Sequence, residues 1–326
     1  MKKEEKVIWD FIEKGYRTKG KTAEQLYGNL LKELLEQKKK TTIGRDHDLY
    51  EVIKEIALLA PQEKLSILRN TYIKITEKRG KGSLNILSKE FKLLIANMVE
   101  LLFENEDIKI LNSFSGTGSL LDCFTEKFTQ GEFISEELNT TEYNLQKQLF
   151  ELCDIPVTVN NVNSLNIKSP EQKYDLIIAS PPLNAKMSSS DIKIKKYNDY
   201  APNKMTMEQG FILKSLEQIK DNGIIVGIFA PSFLFSSQNQ KIRELLLKET
   251  QILSIIETPR NTFTSTAING AILILKKKES ENNSEINNLI MASFAKENID
   301  SQRFSVEKDN LLKEWKSFVQ EEVKKC

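Results

Sequence analysis

Short apolar runs alternate with helical patterns from residue 108 onward, and this alternation restricts the fold more than any other feature of the sequence. Seven of the runs have the length and apolar content of strands. They lie at 108–111, 133–135, 157–159, 176–179, 224–229, 253–256 and 271–275. Helical patterns stand between most of them, near 118–128, 140–153, 205–220 and 237–250. Strands that alternate with helices predict an α/β fold, with a parallel sheet covered by helices on both faces.

The residues before this region have a purely helical pattern. Apolar side chains such as Leu26, Leu30 and Leu34 recur at spacings of three and four residues, which predicts amphipathic helices over residues 1–80. A basic segment with two glycines, at 78–82, has the composition of a linker. A further helix is expected at 89–103.

The alternation fades after residue 276. One more strand is expected at 289–294 and an amphipathic helix near 307–324. We therefore predict three parts for the chain: an N-terminal helical region at 1–80, an α/β domain at 81–280 and an extension of one strand and one helix at 281–326.

The nearly balanced charge of the chain restricts how it can bind a polyanion. Its 47 Lys and Arg residues are matched by 46 Asp and Glu residues, which gives a formal net charge of +1. A protein that binds DNA alone usually carries a basic domain or stripe. We therefore expect contacts with nucleic acid to be local or to come largely from a partner.

Other residue types also exclude classes of protein. Three scattered cysteines, Cys123, Cys153 and Cys326, predict neither a disulfide framework nor a metal site. The single histidine, His47, lies in the helical region, so catalysis by a histidine base is not expected. No apolar run has the length of a membrane span, and the charged start lacks a signal peptide. A cytoplasmic protein without a membrane partner is expected.

A turn of small residues with two glycines follows the first predicted strand. It contains Asn112, Ser115, Gly116, Thr117 and Gly118. Glycine allows a close approach of a ligand to the backbone, and open parallel sheets bind ligands at the carboxyl ends of their strands. Glu137 follows about 20 residues later, at the end of the second strand, where an acidic residue holds ribose hydroxyls in nucleotide-binding folds. A plain strand-to-helix turn is the alternative.

A rigid Ser-Pro-Pro turn, Ser180-Pro181-Pro182, ends the fourth predicted strand and is followed by Leu183. Proline fixes φ and lacks an N–H, so nearby carbonyl groups have fewer local donors. Such a turn can present a side-chain oxygen and a backbone carbonyl to an amine. Pro-Pro can also simply end a strand, which is the alternative interpretation.

These two turns resemble the motifs of the gamma-type amino methyltransferases of DNA, and most of all those of the modification subunit of type I restriction-modification systems. The family motif Asp-Pro-x-x-Gly-x-Gly corresponds to residues 112–118, and the catalytic motif, Asn, Asp or Ser followed by Pro-Pro and an aromatic residue, corresponds to 180–183. Asn163 and Ser164 stand where the family has Asp-Ser-Leu. The resemblance covers about residues 80 to 280.

The resemblance implies a class I S-adenosylmethionine-dependent methyltransferase fold, with a Rossmann-like sheet of seven strands and an N-terminal helical region. It implies S-adenosyl-L-methionine as the cofactor. The implied cofactor-binding residues are Asn112, Ser115, Gly116, Thr117, Gly118, Glu137, Asn163 and Ser164. The implied catalytic residues are Ser180, Pro181, Pro182 and Leu183. In this family the target base is flipped out of the helix, the first residue and the next carbonyl hold its amine, and the aromatic residue stacks on it.

Three positions depart from the family pattern. Leu183 replaces the aromatic residue, and base stacking of this kind is worth about 1–3 kcal/mol. Tyr197 or Tyr200, in the segment that follows, would be able to compensate. Asn112 replaces the Asp expected near the methionine ammonium, which removes a charge-assisted hydrogen bond. Asn163 replaces the Asp expected near the adenine.

The sequence therefore predicts an S-adenosylmethionine-dependent DNA methyltransferase that methylates an exocyclic base amine, adenine N6, within a restriction-modification system. DNA and a separate specificity subunit are the expected partners. Ser180 is more typical of enzymes that methylate cytosine N4, so that base is an alternative. A scaffold protein that keeps the fold without the chemistry and a methyltransferase of RNA or protein are also alternatives. The polar, lysine-rich segment 185–204 is interpreted either as a DNA-tracking loop beside the reaction rim or as a mobile solvated loop.

Overall fold

The computed structural model describes residues 3–20, 22–39, 47–77, 86–169, 171–260, 262–263, 268–279 and 288–324. The α-helices of these residues are α1 (Lys3–Lys19), α2 (Ala23–Lys39), α3 (His47–Ala57), α4 (Pro61–Glu77), α5 (Lys89–Glu100), α6 (Asp122–Lys127), α7 (Thr140–Leu152), α8 (Met207–Gln218), α9 (Gln240–Glu249) and α10 (Gln302–Phe318). The strands are β1 (Lys109–Ser113), β2 (Glu132–Glu137), β3 (Val157–Asn161), β4 (Tyr174–Ala179), β5 (Lys186–Ser188), β6 (Lys204–Thr206), β7 (Ile219–Phe229), β8 (Thr250–Glu257), β9 (Ala271–Lys277) and β10 (Ile290–Ser293). No described helix has both the length and the apolar content that a membrane span requires.

The chain divides into two compact units, residues 1–83 with 140–159 and residues 84–139 with 160–326. The predicted three-part division at residues 80 and 280 stays a prediction. The expected linker at 78–82 lies outside the described residues.

The first unit is helical, as its apolar periodicity predicts. Leu26, Leu30 and Leu34 of α2 are all buried. α7 joins this unit through α2 and α4: Lys38 Nζ lies 2.5 Å from Asp154 Oδ1, and the Arg69 guanidinium lies 5.2 Å from the centre of the Phe150 ring. The basic residues at the end of α2 are therefore paired with acidic groups of the same unit.

Eight of the strands form one sheet, in the order β10-β8-β9-β7-β4-β1-β2-β3. β9 runs antiparallel to β7 and β8, whereas β1 is parallel to β2 and β4, and β7 is parallel to β4. This mixed sheet and the N-terminal helices confirm the predicted α/β fold with an N-terminal helical region. The strand expected at 289–294 becomes β10, which adds an eighth strand parallel to β8.

Both faces of the sheet are buried, which explains why its central strands are almost continuously apolar. Leu111 and Ile177 belong to one cluster with Phe211 of α8. Side chains alternate between faces along a strand, and the neighbouring Ile178 is also fully buried. Outside this cluster, Phe91 of α5 packs against Phe294 and Phe304, at ring-centre distances of 5.9 and 5.5 Å.

Residues 185–206, called here the covering segment, combine exposed polar residues with a few apolar residues that are buried. The segment contains the antiparallel pair β5–β6 and buries Met187, Tyr197 and Met205 in the same apolar cluster as α8. α8 lies between the sheet and the covering segment. For this reason even two polar residues of α8, Gln209 and Lys214, are buried. The segment is therefore solvated on its outer side, and a few apolar residues anchor it to the core; its mobility stays a prediction.

Candidate functional site

The two turns singled out by the sequence follow neighbouring strands and lie at the same edge of the sheet. β1 pairs with both β2 and β4, with Asn112 opposite Ser135 and Ser113 opposite Ala179. The register therefore sets the carboxyl end of β1 level with that of β4. We call residues 112–118 and 180–183 the strand-end turns.

The first strand-end turn needs glycine because its backbone is left-handed. Gly116 has φ +55° and Gly118 has φ +77°. A side chain in this conformation costs about 1–2 kcal/mol per residue. The Gly118 N–H donates to the Ser115 carbonyl at 2.8 Å, and the Ser115 N–H and Oγ both donate to the Glu136 carbonyl, at 3.1 and 3.0 Å. The turn is thus bound to the end of β2.

Glu137 is buried at this turn, with 8% of its surface exposed. Its carboxylate accepts the Gly116 N–H at 2.7 Å and the Asn139 N–H at 2.6 Å. Burial raises the pKa of Glu137, and these hydrogen bonds act in the opposite direction. The backbone of Leu138 is also hydrogen-bonded to this carboxylate, so three of its roughly four lone-pair sites are used and one remains for a ligand.

Three buried side-chain oxygens around the strand-end turns have no hydrogen-bond partner among the described residues: Asn112 Oδ1, Thr117 Oγ1 and Ser180 Oγ. The Asn112 amide is held by its nitrogen, which donates to the carbonyls of Ile178 at 3.1 Å and Ser113 at 3.3 Å. Buried polar atoms in folded proteins usually have a partner. Three unpaired oxygens at one edge of the sheet therefore indicate a site for a ligand with N–H or O–H groups.

Asn163 and Ser164, the other two predicted cofactor residues, have partners within the protein. Asn163 Oδ1 accepts the Leu165 N–H at 3.0 Å, which closes a local turn. The Ser164 side chain is hydrogen-bonded to the carboxyl group of Glu136, a residue only 3% exposed. Burial raises the pKa of Glu136 to about 7, and Glu136 Oε2 has no partner among the described residues.

A carboxylate that the sequence analysis missed connects the loops after β4 and β7. Glu208, in the first turn of α8, is 2% exposed. Its Oε2 accepts the Asn184 N–H at 2.9 Å, and its Oε1 accepts the Ala230 N–H at 2.7 Å. Burial raises its pKa against the effect of these two bonds. A sequence signal existed, because the capping pair Thr206 and Gln209 places Glu208 at the helix start beside the strand ends.

Tyr197 cannot replace the missing aromatic residue at position 183, which corrects the expectation. Its side chain is 2% exposed and its hydroxyl donates to Glu249 Oε2 at 2.6 Å. Glu249 ends α9 just before β8 begins, so this contact lies at the amino edge of the sheet, opposite the strand-end turns. Tyr200 packs beside the same core and lines a cavity of about 450 Å³ between the covering segment and the first turns of α9.

The basic residues in the middle of the covering segment are also distant from the reaction rim. The backbone N–H groups of Lys195 and Lys196 both donate to the carboxylate of Glu217, in the last turn of α8. α8 ends at Gln218 and β7 begins at Ile219, at the amino edge of β7. This part of the segment therefore lies away from the strand-end turns, and whether it contacts DNA stays a prediction.

Two exposed apolar side chains at the carboxyl edge were not singled out by the sequence. Leu138 directly follows Glu137 at the end of β2, and Phe235 lies in the loop after β7. The described residues contain no group of three His, Cys, Asp or Glu side chains arranged to hold a metal ion.

Solved structures first define the class. A protein of Listeria monocytogenes assigned to the class I S-adenosylmethionine-dependent methyltransferases superposes with a TM-score of 0.75 over 96% of this chain and 97% of that one, at 14% identity. The methyltransferase subunit of a type I restriction-modification system from Streptococcus thermophilus has a TM-score of 0.67 and 21% identity, over 83% of this chain and 62% of that one. The fold is that of a class I methyltransferase.

The sequence then defines the family within this class. The model of the N-6 DNA Methylase family matches residues 89–325, and the chain belongs to that family. The methylase subunit of the type I restriction enzyme MpnII, from Mycoplasma pneumoniae, is 26% identical over 191 residues, which are 51% of this chain and 35% of that protein. The type II methyltransferase M.HincII of Haemophilus influenzae is 26% identical over 171 residues, 50% of this chain and 31% of that one. The chain spans about a third of the length of these relatives.

Proposed function

We propose that this chain transfers the methyl group of S-adenosyl-L-methionine to the N6 amine of an adenine in DNA, as the methylating part of a restriction-modification system. The observation that supports this most is the unpaired, buried Ser180 oxygen at the carboxyl edge of β4, next to the glycine turn of β1. Membership of the N-6 DNA Methylase family favours adenine over cytosine as the base.

The residues at the first strand-end turn fit the cofactor. The free Asn112 oxygen can accept a hydrogen bond from the methionine ammonium, although without the full charge of an aspartate. The Glu137 carboxylate can accept a hydrogen bond from a ribose hydroxyl. The turn between these two groups would follow the cofactor between its ammonium and its ribose; it contains Ser115, Gly116, Thr117 and Gly118. The Thr117 hydroxyl has no partner among the described residues. Asn163 and Ser164 lie toward the adenine in this arrangement.

The second strand-end turn supplies the groups for the amine. Ser180 Oγ and the carbonyl of Pro181 would each accept one N–H of the flipped adenine, which directs the nitrogen lone pair toward the methyl group. Bound S-adenosyl-L-methionine supplies an activated methyl on a sulfonium. Pro181 and Pro182 restrict the backbone, so that the protein contributes mainly by positioning the acceptor. Leu183 forms an apolar wall of the base pocket.

DNA recognition would come largely from a partner. The net charge of +1 leaves little surplus for phosphate contacts, and the lysines 195 and 196 lie near the amino edge of the sheet. A specificity subunit that carries the basic surface fits both facts. A cytoplasmic location stays a prediction.

Isothermal titration calorimetry with S-adenosyl-L-methionine tests the cofactor site, with Gly116→Ala as the variant. Gly20→Ala is a matched control, because Gly20 has a similar φ of +61° and open space around it. Both variants should lose about 1–2 kcal/mol of stability from the left-handed backbone. Only Gly116→Ala should weaken cofactor binding. Equal binding by both variants would contradict the placement of the cofactor at the Gly116 turn, and no heat with the natural chain would favour a scaffold.

Transfer of a radiolabelled methyl group to unmethylated DNA, RNA and protein tests the substrate. The label should enter DNA and elute with N6-methyladenine after hydrolysis to nucleosides. Addition of a specificity subunit from the same restriction-modification system should raise the rate. Label found in N4-methylcytosine would change the target base from adenine to cytosine. Label found only in RNA or protein would refute DNA as the substrate.

A further inference from the structure

Phe235 is an exposed aromatic side chain in a firmly held loop. Its surface is 74% exposed, whereas its neighbour Phe233 is buried and stacks on Phe229 at a ring-centre distance of 4.5 Å. Exposure of a single apolar residue is by itself ordinary. The surroundings of Phe235 are different, because the backbone on both sides of it is fixed.

Arg243 of α9 holds this backbone. Its Nη1 donates to the carbonyl of Phe233 at 3.2 Å and to the carbonyl of Ser236 at 2.7 Å. The N–H groups of Phe235 and Ser236 both donate to the Ser232 carbonyl, at 3.3 and 2.9 Å. The protein therefore fixes the main chain around an aromatic ring that it leaves in solvent, so the entropic cost of ordering this ring against a ligand is reduced.

The loop lies beside the second strand-end turn. β7 pairs with β4, with Gly227 opposite Ala179, so the residues after both strands emerge at the same edge. Glu208 accepts N–H groups from both loops, and the Ser232 hydroxyl lies 3.4 Å from Asn184 Oδ1. The loop of Phe235 is thus connected directly to the residue that follows Leu183.

We propose that Phe235 is the aromatic surface on which the flipped target base packs, in place of the aromatic residue that is absent at position 183. The inference rests on the proposed function, since it names the base-contacting residue of the same site. Leu183 then forms the apolar opposite wall of the pocket. Stacking is tolerant of base identity because every base has a π-face, so Phe235 contributes affinity and Ser180 with the Pro181 carbonyl contributes selection for an amine.

A fluorescence titration measures this contact without requiring the recognition sequence. The probe is a DNA duplex with 2-aminopurine opposite an abasic site, which makes the base easy to extrude, in the presence of S-adenosyl-L-homocysteine. Phe235→Leu should weaken binding roughly tenfold to a hundredfold, and Phe235→Tyr should retain it. Tyr16→Leu is the control, because it makes the same kind of change at another exposed aromatic residue and should have no effect.

A second pair of variants separates stacking from a general effect on the fold. Leu183→Phe restores an aromatic residue at the motif position, so Phe235→Leu should cost much less in that background than in the natural chain. Equal binding of the probe by the natural chain and Phe235→Leu, or an undiminished loss in the Leu183→Phe background, would overturn the inference.

Methyl transfer distinguishes this failure from failure of the proposed function. If the natural chain and Phe235→Leu methylate DNA with equal kcat/KM, the proposed function stands and the role of Phe235 is refuted. If the natural chain labels only RNA or protein, the proposed function fails and the inference fails with it. The expected result is a lower kcat/KM for Phe235→Leu, with cofactor affinity unchanged in calorimetry.

Discussion

The strand-end turns and the covering segment are both polar and both follow strands of one sheet. They differ in whether their buried polar atoms have hydrogen-bond partners. Asn112, Thr117 and Ser180 each keep a buried oxygen without a partner among the described residues. In the covering segment, the Tyr197 hydroxyl bonds to Glu249, and the carbonyl of Lys193 accepts the Lys214 ammonium at 2.7 Å. Polar composition alone therefore does not locate a ligand site; polar atoms that the fold buries and leaves unpaired do.

Ser180→Ala should have the largest effect. The substitution removes the one side-chain oxygen proposed to hold the amine and changes little else, since that oxygen has no partner within the described protein. Loss of a positioned hydrogen-bonding group in an active site typically lowers kcat by roughly a hundredfold to a thousandfold. Single-turnover methyl transfer would measure this, with calorimetry to check that cofactor affinity is retained. A variant with the natural rate would remove Ser180 from the chemistry.

Glu136 provides a pH test of the unpaired carboxyl oxygen at the end of β2. Its folded pKa of about 7 lies above the ordinary value of 4.5, despite hydrogen bonding from Ser164 and the nearby charge of Lys214. Between these pH values the folded protein holds a proton that the unfolded chain releases. The contribution of Glu136 to stability is therefore most favourable below pH 4.5 and becomes less favourable as pH rises to about 7. A shift of this size corresponds to about 3 kcal/mol.

Glu136→Gln removes this titration, so its melting temperature relative to the natural chain should improve between pH 5 and pH 8. Thermal unfolding at several pH values measures the trend. Glu126→Gln, at an exposed position, is the control and should show no such trend. A pH-independent difference for Glu136→Gln would mean that Glu136 stays ionised in the folded protein.

Tyr197→Phe should affect stability and not binding. The variant removes the hydrogen bond to Glu249 and leaves a buried acceptor with fewer donors, at a cost of about 1–2 kcal/mol. Chemical denaturation would measure the loss, and calorimetry should show the natural cofactor affinity. A change in cofactor affinity would contradict a purely structural role of the covering segment, because it would show that this segment affects the cofactor site.

The smallest effect is expected for Lys195→Ala with Lys196→Ala. Both backbone N–H groups donate to Glu217 near the amino edge of the sheet, so the side chains begin at the edge opposite the strand-end turns. The salt dependence of DNA binding should keep its slope, since each lost phosphate contact would reduce it by nearly one. A reduced slope would show that DNA reaches the covering segment after all.

Local sequence patterns predicted most of the sheet. All seven strands expected between residues 108 and 275 form. The central ones are visible in the sequence because a strand that is buried on both faces is an almost unbroken apolar run. β7 was predicted too short, from 224 instead of Ile219. Asp221-Asn222-Gly223 has the composition of a turn, and Asn222 does have φ +61°, but the strand continues through an irregularity in its pairing with β4.

The features that the sequence did not predict depend on distant partners. Glu208 acquires its role only when the loops after β4 and β7 come together, and no local pattern records that contact. The apolar residues of the covering segment are separated by lysines, serines and asparagines, so their shared burial against α8 has no simple period. The two strand-end turns were identified as motifs, whereas the unpaired state of their oxygens required coordinates; the roles assigned to them stay predictions.

The single carboxylate of Glu208 has a mechanical consequence for the rim. One oxygen of this carboxylate accepts the Asn184 N–H and the other accepts the Ala230 N–H. The loops after β4 and β7 therefore cannot move apart without breaking one of these hydrogen bonds. The two loops should therefore keep a nearly fixed separation. In the proposed function, the target base would then enter a cleft of nearly constant width. Its entry would depend on the base leaving the DNA stack and not on a movement of these two loops.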